Sequence, residues 1–250
     1  GLGTSGTFVL EGDEYPSSHT DSSPKFLHYN ATSILLTSAT HDHVNVYPPH
    51  ADYLAPFQKL IASLPADGLV VASGDEEHAR ALAETYSGTT ILYGMNDTNE
   101  WHPAHIHYGE TTTFDLIHNS KKVVELSTKL LGAHNIENIV GAAAVLLTKD
   151  LLTPEGCAAG ISSFQGVKRR LEVLTQESSV PVLEGFGSSF EKARSAIEAV
   201  RLHYKDKRLV VVFEPHTFSW RNRGALSWYD SVFAGAEHVY VYEPASQGKD

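Results

Sequence analysis

The chain has 250 residues, 42% of them hydrophobic, and a formal net charge of −11. That length can enclose one large core or two modest ones, and acidity spread without long blocks argues against nucleic acid as the main partner, because phosphate recognition needs a concentrated cationic face. One cysteine, Cys157, excludes an internal disulfide and fits a reducing compartment; with no apolar segment of membrane-spanning length and no signal-peptide order, the chain is expected to be cytoplasmic, with no membrane partner. The sequons at Asn30-Ala-Thr32 and Asn96-Asp-Thr98 are then chance matches.

The opening Gly1-Leu-Gly-Thr-Ser-Gly6 has the glycine spacing of a phosphate loop. It is rejected as one, since Thr7 stands where lysine is needed and the segment precedes a strand. Phe8-Val-Leu10 is predicted as a strand running into the acidic turn Glu11-Gly-Asp-Glu-Tyr15, and the apolar run from Ile34 as a buried strand emptying into His41-Asp-His43. Chemistry in α/β proteins gathers at the carboxyl ends of strands, so the carboxylates and an imidazole are expected to converge on one sheet edge. That pairing suits a hard divalent cation beside phosphate, against the ordinary alternative of a solvated acidic turn. A zinc site from His43 with His41 and His50 is disfavoured, because a closed site wants four ligands and no cysteine is near.

Helices are predicted over Tyr53 to Leu64 and Glu76 to Tyr86, and strands over Gly68 to Ser73 and Thr90 to Tyr93, an alternation that implies a largely parallel sheet. From Trp101 to Leu130 polarity alternates, and Asn119-Ser120 reads as a turn between strands Phe114-Ile117 and Val123-Leu126, a small antiparallel appendage. A helix from about Asn135 to Lys149 follows, then one begun by Thr153-Pro154 and ending near Phe164, with Cys157 buried in it. After Arg170 come strand Val180-Leu183, helix Ser189 to Tyr204, strand Leu209-Phe213, helix Ala225 to Ala234 and strand His238-Tyr242. In the first of these helices Phe190, Ala193, Ile197, Val200 and Tyr204 share a face, and Ser188 with Glu191 has capping-box spacing. Two domains are expected, 1–166 and 167–250.

His134-Asn-Ile-Glu-Asn138 opens a helix rich in small residues, a pattern that ordinary capping and close packing also explain. Ser163-Phe-Gln-Gly-Val-Lys-Arg-Arg-Leu171 sets three cations after a glycine at the domain boundary. An arginine there can reach a phosphate, although a solvated charge run gives the same pattern. Gly185-Phe-Gly187 has the first two glycines of a dinucleotide fingerprint, but Phe190 occupies the third position.

Taken in order, VLEGDEY, LLTSATHDHVNVY, GAHNIEN, SFQGVKRRLE and VVVFEPHTFS resemble the Mur ligases, the ATP-dependent amide-forming enzymes of bacterial cell-wall synthesis. The resemblance covers essentially the whole chain. It implies an α/β fold made of the later part of the central ATPase domain, with a mostly parallel sheet, followed by part of a Rossmann-like C-terminal domain. EGDEY followed by KFLHY is nearest to the branch that joins a peptide to UDP-N-acetylmuramate in peptidoglycan recycling, with the branch adding L-alanine next. By resemblance Glu11 matches a magnesium-binding, catalytically essential glutamate and His43 the histidine that holds a second magnesium. His134, Asn135 and Asn138 match an element near the adenine of ATP, and Arg170 an arginine that reaches its phosphates.

The implied chemistry converts a substrate carboxylate to an acyl phosphate, which the amine of a peptide or amino acid then attacks. The family's G-x-x-G-K-T/S loop and its UDP-sugar domain are expected upstream of Gly1. Ser38 and Thr40 stand where asparagine and glutamate are common, Asn45 where aspartate is, Gly185 where an aspartate serves the nucleotide, and Ser188 at the usual histidine. Those departures leave two further readings beside the recycling ligase: a Mur-type ligase for another substrate, or a non-catalytic binding protein on the same fold.

Overall fold

The computed structural model describes residues 6–41, 46–175, 178–221 and 223–243. Its largest element is a six-stranded sheet of β1 (Ser33–Leu36), β2 (Leu69–Ser73), β3 (Thr89–Tyr93), β4 (Trp101–His107), β5 (Thr112–His118) and β6 (Lys121–Thr128), paired in that order. β1, β2 and β3 run parallel, in the register Ile34 to Val70 and Val70 to Thr90, and β4 joins β3 in the same sense at Tyr93 and Trp101. Asn119 and Ser120 both take left-handed backbone angles between β5 and β6, the geometry of a two-residue hairpin turn. The predicted appendage is therefore an extension of the main sheet: the change from continuous to alternating apolar residues marks strands with one exposed face.

The helices linking these strands are α1 (His50–Ala62) and α2 (Glu77–Ala83); α3 (Ala133–Thr148) and α4 (Pro154–Ser163) follow the sheet. α1 buries Tyr53, Phe57, Leu60 and Ile61 against Ile34, Leu36, Val70 and Ala72. The α3 backbone at Gly141 lies directly on the Tyr93 ring, where a Cβ would sit 2.6 Å from the ring. Cys157 is buried in α4, as expected of a structural cysteine, and burial raises its thiol pKa. Phe8, Val9 and Leu10 form no strand. They are exposed, Val9 by 86%, and among the described residues no strand lies beside them to cover their side chains.

The chain divides into two compact units. One comprises Gly1–Pro103, Leu116–Val123 and Glu137–Thr153, the other Ala104–Asp115, Val124–Ile136 and Pro154–Asp250. In the second, an unanticipated strand β7 (Arg170–Val173) pairs antiparallel with β8 (Leu183–Gly185), which starts later than its apolar run suggested. α5 (Phe190–His203) is capped by Ser189, whose side chain accepts the Lys192 N–H at 3.3 Å, so the cap lies one residue beyond the predicted Ser188. Ala193 and Ile197 of α5 pack with Trp220, Val232 and Phe233 near β9 (Val210–Phe213) and its parallel partner β10 (His238–Val241).

α6 (Phe218–Arg221) is a single turn. The predicted helix from Ala225 to Ala234 is replaced by a 3-10 helix over Arg223–Trp228 and further turns with i to i+3 bonds at Tyr229, Ser231 and Ala234. Edge-on packing of Trp220 on Trp228 and Tyr229 holds this tighter winding, a tertiary preference that apolar spacing does not reveal. Among the described residues no helix is long and apolar enough to cross a membrane.

Candidate functional site

Because β1, β2 and β3 are parallel, the segments after their carboxyl ends, 37–41, 74–76 and 94–99, open on one sheet edge. Glu76 organises the first two. Its carboxylate accepts the backbone N–H groups of His78 and Ala79 at 3.1 and 2.8 Å, capping α2, and that of Ala39 after β1 at 2.9 Å, with the Thr40 hydroxyl at 3.4 Å. Burial by itself would raise the Glu76 pKa, but these bonds to the charged form outweigh it and hold the group below the usual carboxylate range.

Asp75 does the same for the loop after β3. It accepts Met95 N–H at 2.6 Å, Asn96 N–H at 3.2 Å, and the side-chain amides of Asn96 and Asn99 at 2.7 and 2.8 Å, which again offset its burial and lower its pKa. Neither carboxylate was singled out from the sequence. The signal was present: Gly74-Asp-Glu76 directly follows the fully buried strand Leu69–Ser73.

The acidic turn and the histidine loop meet through Tyr47. Its hydroxyl donates to the Glu14 carbonyl at 2.5 Å, and its own carbonyl accepts from His41 Nε2 at 2.7 Å, so that nitrogen carries the proton. Burial, then the charges of Glu14 and Asp13, raises the Tyr47 pKa and keeps the hydroxyl a donor. Within the turn, the Asp13 carboxylate is committed to Lys25 at 2.6 Å and to the Tyr15 N–H at 2.8 Å, and that hydrogen bond raises the Lys25 pKa. Glu11 stays exposed.

His43 lies outside the described residues, so its distance from Glu11 is not defined. The His41 and His50 rings stack at 5.1 Å, and His78 meets His50 edge-on at 4.5 Å. Among the described residues, no three histidine, cysteine or carboxylate side chains are grouped to hold a metal.

At the start of α3, the Asn135 side-chain amide donates to the Leu131 carbonyl at 2.8 Å, while His134 and Asn138 are exposed. The His134 ring, crowded on the side that faces Gly132, is desolvated there, which lowers its pKa. Glu137 of the same motif accepts the buried Ser73 hydroxyl of β2 at 2.9 Å, a structural use of the third polar residue that the sequence reading passed over.

In the second unit Arg170 is exposed and sits on a bulge: Arg169 and Leu171 on either side take φ of 62° and 55°. A left-handed branched leucine is a true outlier, and such strain clusters at functional positions. Arg169 is engaged locally, its N–H on the Glu172 carboxylate at 3.1 Å and its guanidinium 3.9 Å from Glu184. The Gly185-to-Ser189 segment is held by its carbonyls, Gly187 by Trp220 Nε1 and Ser188 by the Thr217 hydroxyl, both at 2.8 Å. At Ser188 the hold is therefore made by the backbone.

A family model described as the Mur ligase middle domain matches residues 6–146, more than half of the chain. The chain belongs to the Mur ligase family. The UDP-N-acetylmuramate–L-alanyl-γ-D-glutamyl-meso-2,6-diaminoheptandioate ligase of Haemophilus influenzae is 28% identical over 248 residues, covering 97% of this chain and 53% of the relative. The UDP-N-acetylmuramate–L-alanine ligase of Endomicrobium trichonymphae is 27% identical over 249 residues, 99% of this chain and 53% of the relative. This Mur ligase chain thus spans about half the length of the curated relatives it matches. In fold it is similar to the crystal structure of UDP-N-acetylmuramate-alanine ligase from Thermotoga maritima, with a TM-score of 0.67 at 20% identity over 84% of this chain and 44% of that one.

Proposed function

We propose that this Mur ligase chain is part of an ATP-dependent carbon–nitrogen ligase, cytoplasmic and acting in peptidoglycan synthesis or recycling, that joins a peptide or amino acid to UDP-N-acetylmuramate. The observation that carries this reading is the Glu14–Tyr47–His41 tie, which keeps the acidic turn beside the histidine loop at the carboxyl end of a parallel sheet. The H. influenzae relative is named for a tripeptide and the E. trichonymphae relative for L-alanine, so both amines are carried forward. The peptide is preferred for EGDEY followed by KFLHY. The division at 166/167 is kept as the proposed boundary between the ATPase-type and Rossmann-like parts.

By the family resemblance Glu11, an exposed hard oxygen donor, and His43 would hold magnesium. Magnesium held there would neutralise charge developing on transferred phosphate. His134, Asn135 and Asn138 are proposed to face the nucleotide, and Arg170, on its strained bulge, its phosphates. Glu76 and Asp75 position the loops.

The test is Arg170→Ala in the full-length protein, with Arg169→Ala as control, measured as ATP-dependent ligation of the tripeptide and of L-alanine to UDP-N-acetylmuramate. A charge-assisted bond in a dry, closed site contributes roughly 2 to 4 kcal/mol to the transition state, about 30- to 1000-fold in rate. The Arg169 ion pair is exposed and long, and should contribute little. Equal activity in the two variants, with melting temperatures unchanged, removes Arg170 from the site. No ligation of either amine by the unaltered protein would favour a non-catalytic Mur-fold protein, the reading to which Gly185 and Ser188 lend weight.

A further inference from the structure

α5 carries Ala199 and His203 one turn apart, and both meet the tight turn Leu131-Gly132-Ala133 in the same unit. Gly132 has a φ of +93°, and a Cβ there would lie 2.9 Å from Ala199 Cβ and 2.8 Å from His134 Cε1, so the turn admits no side chain. His203, 9% exposed, accepts the Gly132 N–H on Nε2 at 2.8 Å and donates from Nδ1 to the Gly109 carbonyl at 2.8 Å. An N–H only donates and a carbonyl only accepts, so the ring is held as the neutral Nδ1–H tautomer. The same turn is closed by Asn135, whose N–H donates to the Gly132 carbonyl at 3.1 Å and whose side chain donates to Leu131.

We propose that His203 is a positioning residue for the nucleotide-side turn: neutral, it fixes Gly132 and with it His134 and Asn135, and on taking a proton at Nε2 it sets donor against donor and releases them. The functional half of this rests on the nucleotide role proposed above for His134 and Asn135; the clamp itself does not. Among the described residues, Tyr108 meets the ring edge-on at 5.3 Å and His134 lies across Gly132, while Glu110 and Tyr204 are the titratable neighbours in sequence of Gly109 and of His203 itself. Glu110 is exposed and its charge would favour the cation only weakly, while burial disfavours it and places the His203 pKa below the usual 6.5. The clamp is therefore fully formed above pH 6.5 and is lost as pH falls from there through the lower pKa of the clamped ring.

The experiment follows histidine ring nitrogens and amide exchange by NMR on the whole chain between pH 5 and 8. Protection of Gly132 and Asn135, corrected for intrinsic exchange, should be flat above pH 6.5 and fall by up to about tenfold per pH unit from there down to the lower pKa of the clamped ring. His203→Gln, which can accept from Gly132 and donate to Gly109 but does not titrate, should hold protection flat. His203→Leu should lose it at every pH. The same pH dependence in His203→Gln as in the unaltered chain, or an Nε2–H ring at pH 8, overturns the clamp. Should the glutamine variant misfold, Gly132 protection that fails to track the His203 titration in the unaltered chain overturns it equally. In the full-length protein, KM for ATP should rise below pH 6.5 more than kcat falls, and His203→Gln should abolish the rise. A flat KM beside an intact clamp would instead remove His134 and Asn135 from the nucleotide.

Discussion

Replacing Glu76 by alanine tests whether one carboxylate joins the first two loops of the sheet edge. The substitution removes the cap from α2, which costs about 1 kcal/mol in comparable helices. It also strands the Ala39 N–H, on a residue only 1% exposed, and a buried donor left without an acceptor costs roughly 1 to 3 kcal/mol. Together the local loss is about 2 to 4 kcal/mol, roughly a 30- to 1000-fold rise in the opening constant. With two units, a global melting curve mixes events, so the assay is amide exchange at Ala39 and Ala79, both bonded to Glu76.

The pH dependence of this cap has a definite sign. The folded Glu76 pKa lies below its ordinary 4.5, so its contribution is complete above that pH and disappears as pH falls through the folded value. Glu76→Gln should lose less than alanine and show no such acid step. Exposed Glu77, in the first turn of the same helix, is the control and should cost under about 0.5 kcal/mol as alanine. If Glu76→Ala costs no more than Glu77→Ala, the carboxylate is not the joint between β1 and α2.

Tyr47→Phe deletes the donor to the Glu14 carbonyl while keeping the ring packed on Tyr53, and should loosen the Glu11-to-Tyr15 turn by about 1 kcal/mol. Manganese broadening at the Glu11 amide should weaken in parallel; identical broadening in both proteins would mean that the tyrosine does not hold the turn. Ser189→Ala should destabilise α5 by about 1 kcal/mol and Ser188→Ala by much less, since only the Ser188 carbonyl is engaged. The reverse order in helix-specific amide exchange would return the cap to the residue that capping-box spacing had favoured.

Where residue chemistry acts locally, the sequence was sufficient. Apolar runs and their spacing defined β1, β2, β3, α1, α3 and α5, and the ordered motifs identified the family before any contact was known. Local rules also placed the Asn119-Ser120 turn, because left-handed backbone angles are a property of two residues. Long-range partners escaped them. Phe8-Val-Leu10 has the composition of a strand, but a strand exists only where another lies beside it. The segment after Ala225 has helical spacing, yet edge-on packing of aromatic rings wound it more tightly.

The site divides in the same way. That His41 would follow a strand end came from βα alternation, whereas the acidic turn after Phe8-Val-Leu10 follows no strand. That Asp13 would be taken by Lys25, that Glu76 would bridge to Ala39 across 37 positions, and that His203 would reach Gly132 across 71 could not come from that alternation, since nothing local couples residues so far apart. Sequence alone determined which groups are present and that the segment leading to His41 follows β1. Only the tertiary structure decided which of them are committed to one another, because a hydrogen bond is decided by distance and burial, and both belong to the folded chain.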